Sequence, residues 1–447
     1  MNLKVGRFIK HMVLGGLGSV VVGTLLLVLV FCLPVDRMIK HVTVDVDEMI
    51  RDADQSSESS IENYIWAKRE TYTDTIMVQN AIEDIDGKTP YEHAMWMYHN
   101  DVDEEYWEPE ASLMALCQGA DTSEMFLHTY ARYWHGYLVY LKPLLLFLNW
   151  KHIVWLGILA QLALMAAVLF VAVRKGHPEI AVVLVCGILF MKLLLILISL
   201  TMSVCWIITL VSLLIMLMAR ERLEHKKCYP EFFFAIGIAT AYFDFLTYPV
   251  VTLGFPLCVF FLLQEGGKIK EKFLRLIGYC VCWGMGYVGM WAAKWVIADL
   301  TLRTGTIKDA IWSIIGRTEA IGGRPRMNGG FYVIGLNAEE YDFGFFPFVA
   351  VVLAIAVFSA VLWACRRVGV KYMAARLFPY AIIFCIPFVW IILVQHHSAL
   401  HARFTFRILS VAVLAISCMG AESILAIRRN RFAGLDKKMS NSSAMQK

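Results

Sequence analysis

The sequence predicts an all-α protein that crosses a membrane many times. Of its 447 residues, 59% are hydrophobic and 17% are charged, whereas a water-soluble domain carries about 25% charged residues. Apolar runs of roughly 18 residues or more recur along the chain, and such a run is long enough for a helix to cross a bilayer. Because lipid offers no partners for backbone polar groups, these runs indicate membrane-spanning helices.

We count about ten spans. The first apolar run could be a signal peptide, but 12–33 is long enough to span and no small-residue cleavage pattern follows it. The run from Ile180 to Met218 is too long for one helix, so we divide it near Thr201 and Ser203. The expected spans are 12–33, 152–173, 180–199, 203–219, 232–248, 250–264, 275–297, 344–365, 378–395 and 408–427.

Lysines and arginines collect on one side of these spans. The positive-inside rule makes that side cytoplasmic, which predicts a multi-pass plasma-membrane protein with both termini in the cytoplasm. The segment 34–150 then lies outside, with 22 acidic and 8 basic residues. Its net charge is −14, against +18 for the rest of the chain.

This topology divides the chain into six segments. They are a cytoplasmic tail and first span at 1–33, a large acidic outer loop at 34–150, spans two to seven at 151–298, a second outer loop at 299–343, spans eight to ten at 344–431, and a tail at 432–447 that we expect to be disordered.

Within the acidic loop, helical spacing of apolar residues predicts helices over 61–82 and 111–141, separated by a break at GKTP, 87–90. Aromatic residues are dense at 126–150, as expected of helices on the outer leaflet that frame a cavity. Most of the 11 cysteines lie in apolar runs, so we expect no disulfide framework.

Two stretches of the acidic loop contain candidate general bases. Asp74 in TYTDTIM is flanked by aromatic and apolar residues, and a carboxylate beside a hydrophobic interface suits proton transfer. DVDE at 45–48 supplies Asp45 and Asp47 as alternatives. The competing interpretation is a solvated acidic helix face, which accounts for most of the loop's carboxylates.

Basic residues at two places suggest anion binding. RYWHGYLVYLKP places Arg132, His135 and Lys142 at the mouth of the second span, as a phosphate or lipid-headgroup clamp or as ordinary interfacial anchors. AIGGRPRMNGG, which contains Arg324 and follows Arg317, combines glycines with arginines and fits either a phosphate-binding loop or a flexible basic loop.

Lys192, Asp244 and Lys294 are charged residues inside expected spans. Lys192 and Asp244 each lie about 18 Å from the inner end of their span at 1.5 Å per residue, so their equal depth and opposite sign suggest an ion pair. Such a pair is either functional or a structural device that fixes helix register. Lys294 lies near the outer interface, where a lysine can reach toward water.

QHHSALHARFTFR, 395–407, connects the last two spans. His397 and His401 are four residues apart, and so are Arg403 and Arg407, so each pair shares a helix face. The two histidines alone make a weak metal site. The stretch therefore indicates an anion site or a solvated membrane surface.

The layout as a whole resembles the GT-C superfamily of integral-membrane glycosyltransferases, which have a large external loop after the first span. It also resembles a bacterial branch of such proteins linked to cell-surface polysaccharide. The stretches that carry the resemblance are TYTDTIM, RYWHGYLVYLKPLLLF, AYFDFLTYPVVTLG, GYVGMWAAKW and HHSALHARFTFR, within residues 70–410.

The resemblance implies transfer of a sugar from a polyprenyl-phosphate donor to a glycan or lipid-linked acceptor, with membrane lipids as further partners and no nucleic acid. Asp74 would be the general base or would hold a divalent metal such as Mg²⁺ or Mn²⁺, with DVDE as the alternative because the superfamily's acid often lies nearer the first span. The residues implied in binding the lipid phosphate or sugar are Arg132, His135, Lys142, Lys294, Arg317, Arg324, His397, His401 and Arg407.

Two other functions remain open at this stage. One is an ion-coupled transporter or flippase of a lipid-linked glycan, suggested by Lys192 and Asp244, although no repeated halves are visible. The other is a polymerase or ligase that acts on lipid-linked oligosaccharide.

Overall fold

The computed structural model of the chain describes residues 2–55, 71–264, 266–321, 325–341 and 344–444. These residues are mostly helical. The helices are α1 (Asn2–Phe31), α2 (Asp36–Thr43), α3 (Val46–Gln55), α4 (Thr71–Ile82), α5 (Pro90–Trp96), α6 (Pro109–Cys117), α7 (Leu138–Leu145), α8 (Trp150–Arg174), α9 (Pro178–Leu189), α10 (Leu193–Ile198), α11 (Leu200–Met218), α12 (Arg220–Lys226), α13 (Tyr229–Phe243), α14 (Val250–Leu263), α15 (Ile269–Leu302), α16 (Thr306–Thr318), α17 (Arg326–Glu339), α18 (Phe346–Val368), α19 (Val370–Leu393), α20 (Gln395–Leu400), α21 (Ala402–Thr405) and α22 (Ser410–Ala444).

Among the described residues, seven helical stretches are long and apolar enough to cross a membrane. They are Phe8–Phe31, Trp150–Arg174, Leu200–Met218, Ile269–Leu302, Phe346–Val368, Val370–Leu393 and Ala402–Arg431. Helices also occupy the other three expected positions, but α9, α13 and α14 have only 12, 15 and 14 residues. The chain is thus an all-α protein with the helices of a polytopic membrane protein, and the count of ten spans stays a prediction.

The helix boundaries differ from expectation at two places. The span expected over 180–199 is interrupted between α9 and α10, where Lys192 adopts a left-handed backbone conformation with a φ of 50°. The last helix continues to Ala444, into the tail expected to be disordered; 432–444 contains no proline to end it.

The segment between α1 and α8 forms a small domain, which we call the loop domain. It contains α2 to α7 and a two-stranded antiparallel ribbon of β1 (Tyr98–Asp101) and β2 (Phe126–Thr129). The expected helix over 111–141 is therefore wrong in its middle. α6 stops before Gly119, whose φ of 77° is left-handed, and 126–129 pairs with β1 instead. The break at GKTP is confirmed, because α5 begins there with a capping box between Thr89 and Glu92.

The loop domain lies on the ends of four long helices. The ring of Phe31 at the end of α1 stacks on His93 at 5.4 Å. Asp45 and Asp74 bond the first residues of α8 and α11, and Lys294 near the end of α15 bonds α5. α1 and α15 end at this domain, whereas α8 and α11 begin there. These four helices follow the alternation of span directions that the sequence predicts. We call this side of the molecule the loop end.

α13 and α15 cross at very short distance. A Cβ atom on Gly237 would lie 2.1 Å from the carbonyl oxygen of Trp283, and one on Gly286 would lie 2.2 Å from that of Phe234. Small residues of this kind let helix backbones approach closely within a membrane. The crossing fixes the loop-end terminus of α13, which leads into the candidate site.

We expect Gly286→Ala to destabilise the protein, because the added methyl group meets backbone that cannot move aside. The matched control is Gly284→Ala on the same helix, where a Cβ would have nothing within 4 Å and alanine favours the helix by about 1 kcal/mol. Thermal unfolding in detergent should show a clear loss of stability only for Gly286→Ala; equal unfolding temperatures for the two variants would contradict the tight crossing.

Candidate functional site

Asp74, the candidate base, lies at the start of a membrane helix. Its side chain is 1% exposed, and it accepts hydrogen bonds from the backbone N–H groups of Leu200 (3.1 Å) and Thr201 (2.8 Å). The hydroxyls of Ser199 (3.0 Å) and Thr201 (2.6 Å) donate to the same carboxylate. Since the first N–H groups of a helix lack partners within it, Asp74 caps α11, and its catalytic role stays a prediction.

Of the two alternative acids, Asp45 has surroundings comparable to those of Asp74, and Asp47 does not. Asp45 is buried and accepts a 2.9 Å hydrogen bond from the backbone N–H of Lys151, in the first turn of α8. Asp47 is exposed in the first turn of α3. Asp45 therefore caps the start of α8, as Asp74 caps the start of α11.

Two candidate phosphate-binding lysines are bound to helix carboxyl ends. The ammonium group of Lys142 donates to the carbonyl of Ala81 at 2.8 Å, and that of Lys294 donates to Ala94 at 2.5 Å. Both side chains are buried. Burial lowers the pKa of Lys142 to about 8. These lysines join the ends of α4 and α5 to their neighbours, a role that the sequence does not suggest.

The expected pair of Lys192 and Asp244 does not form. Lys192 instead lies 3.3 Å from the carboxylate of Glu340, at the end of α17. Asp244 accepts from the hydroxyl of Thr247 at 2.5 Å and from its backbone N–H at 3.0 Å. The break between α9 and α10 places Lys192 beside the second loop, so equal sequence depth was a poor guide to pairing.

The residues between α13 and α14 form a turn at the centre of the candidate site, where they contact residues from several other segments. The ring of Phe245 lies 5.1 to 6.1 Å from four rings of the loop domain, those of Tyr130, Tyr133, His135 and Tyr137. The carbonyl of Leu246 accepts a 2.9 Å hydrogen bond from His397. The turn joins the loop domain to the connection between the last two long helices.

The turn is held in place by a close backbone contact. The N–H of Gly136 donates to the carbonyl of Tyr242 at 2.9 Å, and a Cβ on Gly136 would lie 2.5 Å from that oxygen. The hydroxyl of Tyr242 in turn donates to the carbonyl of Gly23 in α1 at 2.7 Å. Glycine is thus required where HGY of the loop domain meets α13.

Around this turn the structure gathers the aromatic and basic residues that we call the loop-end cluster. Its members are Tyr130, Tyr133, His135, Tyr137, Phe245, Arg317, His397 and His401. Tyr133 and Tyr137 are buried, not spread on a membrane surface as their density in the sequence suggests. Tyr130, Arg317 and His401 are half-buried, so the cluster can be reached from outside.

Arg317 is the cation of this cluster that is open to a ligand. Its guanidinium lies 5.6 Å from the ring centre of Tyr133, and no hydrogen-bond acceptor for it is found among the described residues. Arg132, by contrast, is paired with Asp309 at 2.9 Å and covers the ring of Tyr130 at 5.1 Å.

The histidines are neutral acceptors, not cations. Burial, His401 and Arg317 lower the pKa of His397 to about 3, and burial and Arg317 lower that of His401 to about 4. The Nε2 of His397 must carry the proton, because it faces the carbonyl of Leu246. Its buried Nδ1, which has no partner among the described residues, therefore offers a lone pair. The two rings lie 4.7 Å apart, as their spacing predicts.

His135 belongs to an internal chain of hydrogen bonds. Its Nε2 faces the carbonyl of Tyr130 at 2.9 Å, and its Nδ1 lies 3.2 Å from the hydroxyl of Tyr137, which accepts from Asn80 at 3.1 Å. Burial lowers the pKa of His135 to about 3. It is therefore uncharged near pH 7 and does not bind phosphate as a cation.

The remaining candidate residues are Arg407 and Arg324. Arg407 is 2% exposed, donates to the carbonyl of Arg403 at 3.0 Å and packs on the ring of Phe406 at 4.5 Å. Arg324 lies outside the described residues.

The Asp74 carboxylate accepts the four hydrogen bonds described above, and a divalent metal at this residue stays a prediction. In the part of the chain that the structure describes, no group of three histidine, cysteine, aspartate or glutamate side chains is arranged to hold a metal ion.

The chain matches no family model, no curated protein and no solved structure. Its class is therefore defined by its own features, an α-helical membrane protein with a loop domain and a polar cluster at one end of its long helices.

Residue spacing does not single out Tyr130, Tyr133 and Phe245 at the centre of this cluster. However, DFLTYP inserts an acid, two aromatic residues and a proline between two apolar runs. This interruption of the apolar pattern is the sequence feature that indicates a polar site at the turn.

We expect Asp74→Ala to destabilise the fold by about 2–4 kcal/mol, because buried N–H groups at the start of α11 lose a charged acceptor. Asp74→Asn keeps one oxygen for Thr201 and should cost less. Thermal unfolding followed by tryptophan fluorescence measures both, with exposed Asp47→Ala as control. An unchanged unfolding temperature in Asp74→Ala would contradict the capping role.

The loop domain also contains a buried acid, Glu83, whose contribution to folding stability depends on pH. Glu83 is 3% exposed and accepts 2.8 Å hydrogen bonds from the N–H and the side-chain amide of Asn100. Burial raises its pKa from 4.5 to about 7, although the bonds to Asn100 act in the opposite direction. Folding therefore favours the protonated form, and the stability that this form contributes is lost as the pH rises from about 4.5 through about 7.

We expect Glu83→Gln to remove this loss. Its free energy of unfolding relative to wild type should rise between pH 4.5 and pH 8, by on the order of 3 kcal/mol at most. Denaturant unfolding at several pH values measures the difference, with Glu104→Gln at an exposed position as control. A difference that does not change with pH would show that Glu83 ionises normally.

Proposed function

We propose that this protein is a membrane glycosyltransferase of the GT-C type, which transfers a sugar from a polyprenyl-phosphate donor to a cell-envelope glycan or lipid-linked acceptor. The observation that carries the proposal is Arg317. It is a half-buried arginine without a protein acceptor among the described residues, beside aromatic rings at the loop end of the long helices. By the positive-inside rule, this end faces outward from the plasma membrane.

Arg317 suits the phosphate of such a donor. A guanidinium can bond two phosphate oxygens at once. The phosphate gains negative charge as its bond to the sugar breaks, and a fixed cation away from bulk water stabilises that charge in the transition state. The aromatic rings of Tyr130 and Tyr133 offer flat apolar surfaces for the sugar, and Nδ1 of His397 accepts a hydrogen bond from one of its hydroxyls.

In the proposed reaction an acceptor hydroxyl attacks the anomeric carbon and gives its proton to a carboxylate. The bond from that carbon to the phosphate oxygen breaks, and polyprenyl phosphate leaves. Asp244 suits the role of base because it is buried, is oriented by Thr247, and directly precedes Phe245 of the loop-end cluster. Asp74 remains the base that the resemblance implies, but its oxygens already accept bonds from the start of α11.

The transporter alternative rests on the mid-depth charges of Lys192 and Asp244. Lys192 pairs with Glu340 rather than with Asp244, and nothing among these contacts favours transport over transfer. A polymerase or ligase would use the same phosphate chemistry, so the identity of the acceptor distinguishes it.

We expect Arg317→Gln to lower transfer at least 100-fold, since one lost contact to transition-state charge costs about 3–4 kcal/mol. Asp244→Asn should abolish transfer. The assay compares envelope glycans and lipid-linked sugars by mass spectrometry after loss of the protein, with wild type or a variant restored. A sugar that returns with wild type but not with Arg317→Gln is the expected result.

The matched control is Arg403→Gln, an exposed arginine near the same end, which should restore the sugar. Thermal unfolding of each purified variant separates lost chemistry from lost folding. Full restoration by Arg317→Gln would remove the proposed phosphate site, and accumulation of a lipid-linked species without any missing sugar would indicate transport.

A further inference from the structure

α16 has an unusually apolar outer surface for a helix in a connecting segment. Four isoleucines and a tryptophan remain exposed on it: Ile307 37%, Ile311 49%, Trp312 64%, Ile314 43% and Ile315 43%. At helical spacing, 307, 311, 314 and 315 form one continuous face. Several large apolar side chains left together on one helix indicate a binding surface.

The opposite face of α16 is fixed to the protein. Thr306 and Ala310 are buried, and Asp309 pairs with Arg132 of the loop domain. Arg317, about two turns beyond Ala310 on this face, lies over Tyr133. The apolar face therefore points away from the protein.

The start of α16 is anchored at the end of a long helix. Asp299 in α15 accepts hydrogen bonds from the N–H groups of Thr306 at 2.6 Å and Ile307 at 3.1 Å. α15 has 34 residues and is long enough to cross a membrane. The span expected over 275–297 ends nine residues before Thr306, so α16 follows closely on the expected outer end of that span.

We propose that α16 lies in the headgroup region of the bilayer, with its isoleucine face and Trp312 in contact with phospholipid. The attachment to α15 supplies the position, and the composition matches: tryptophan is enriched at membrane–water interfaces, and the ammonium group of Lys308 can reach the phosphate layer. An interfacial helix binds through such an apolar face.

This placement has a consequence for Arg317, which rests on the proposed function. Arg317 belongs to the same helix, so its guanidinium lies at the depth of lipid phosphates. A lipid-linked phosphate then reaches Arg317 by lateral diffusion within the bilayer, without leaving the membrane.

The test is photocrosslinking at three aromatic positions of matched exposure. p-Benzoylphenylalanine replaces Trp312 on α16, Phe348 on the long apolar helix α18, and Tyr106 in the loop domain, which are 64%, 71% and 65% exposed. Each full-length variant is reconstituted in nanodiscs of phosphatidylethanolamine and phosphatidylglycerol, irradiated, and analysed by intact-protein mass spectrometry.

We expect phospholipid adducts at Trp312 within about twofold of those at Phe348 and at least fivefold above those at Tyr106. Adducts at Trp312 no more abundant than at Tyr106 would overturn the proposal, as would a protein–protein adduct in place of a lipid adduct. Because crosslinking requires no activity, this outcome is independent of the Arg317→Gln result, and failure of one does not imply failure of the other.

Discussion

The loop end of this protein depends on charged side chains that satisfy the ends of helices. A helix leaves its first N–H and last C=O groups without internal partners, and these groups are costly when buried. Here Asp74 and Asp45 accept from the beginnings of α11 and α8, while Lys142 and Lys294 donate to the ends of α4 and α5. The signs agree with the helix dipole, which favours anions at the amino end and cations at the carboxyl end.

This constraint separates structural charges from those available for chemistry. The capping groups have their hydrogen bonds already made, so a ligand would have to displace them. Arg317 and the Nδ1 of His397 are polar groups without a hydrogen-bond partner among the described residues, and both lie around the turn that follows α13. The same turn contains Asp244 and Phe245, so cation, acceptor, carboxylate and aromatic surface occur together.

The sequence predicted the all-α architecture well because long apolar runs favour helices, and seven helical stretches among the described residues are long and apolar enough to cross a membrane. It also predicted the alternation of helix directions and the adjacency of His397 with His401. It failed where the outcome depended on distant partners. The neighbours of Asp74 in the chain are apolar and do not predict its hydrogen bonds to Ser199 and Thr201, which lie more than a hundred residues away. Lys192 pairs with Glu340 because its helix is interrupted, and no local sequence pattern predicts that interruption.

The most direct measurement is binding of a polyprenyl phosphate to the purified protein, by native mass spectrometry in detergent. The account predicts that wild type binds the lipid phosphate and that Arg317→Gln weakens binding at least tenfold while its unfolding temperature stays unchanged. Arg403→Gln should bind as wild type does. Wild-type affinity in Arg317→Gln would contradict the central claim, because the phosphate would then bind elsewhere.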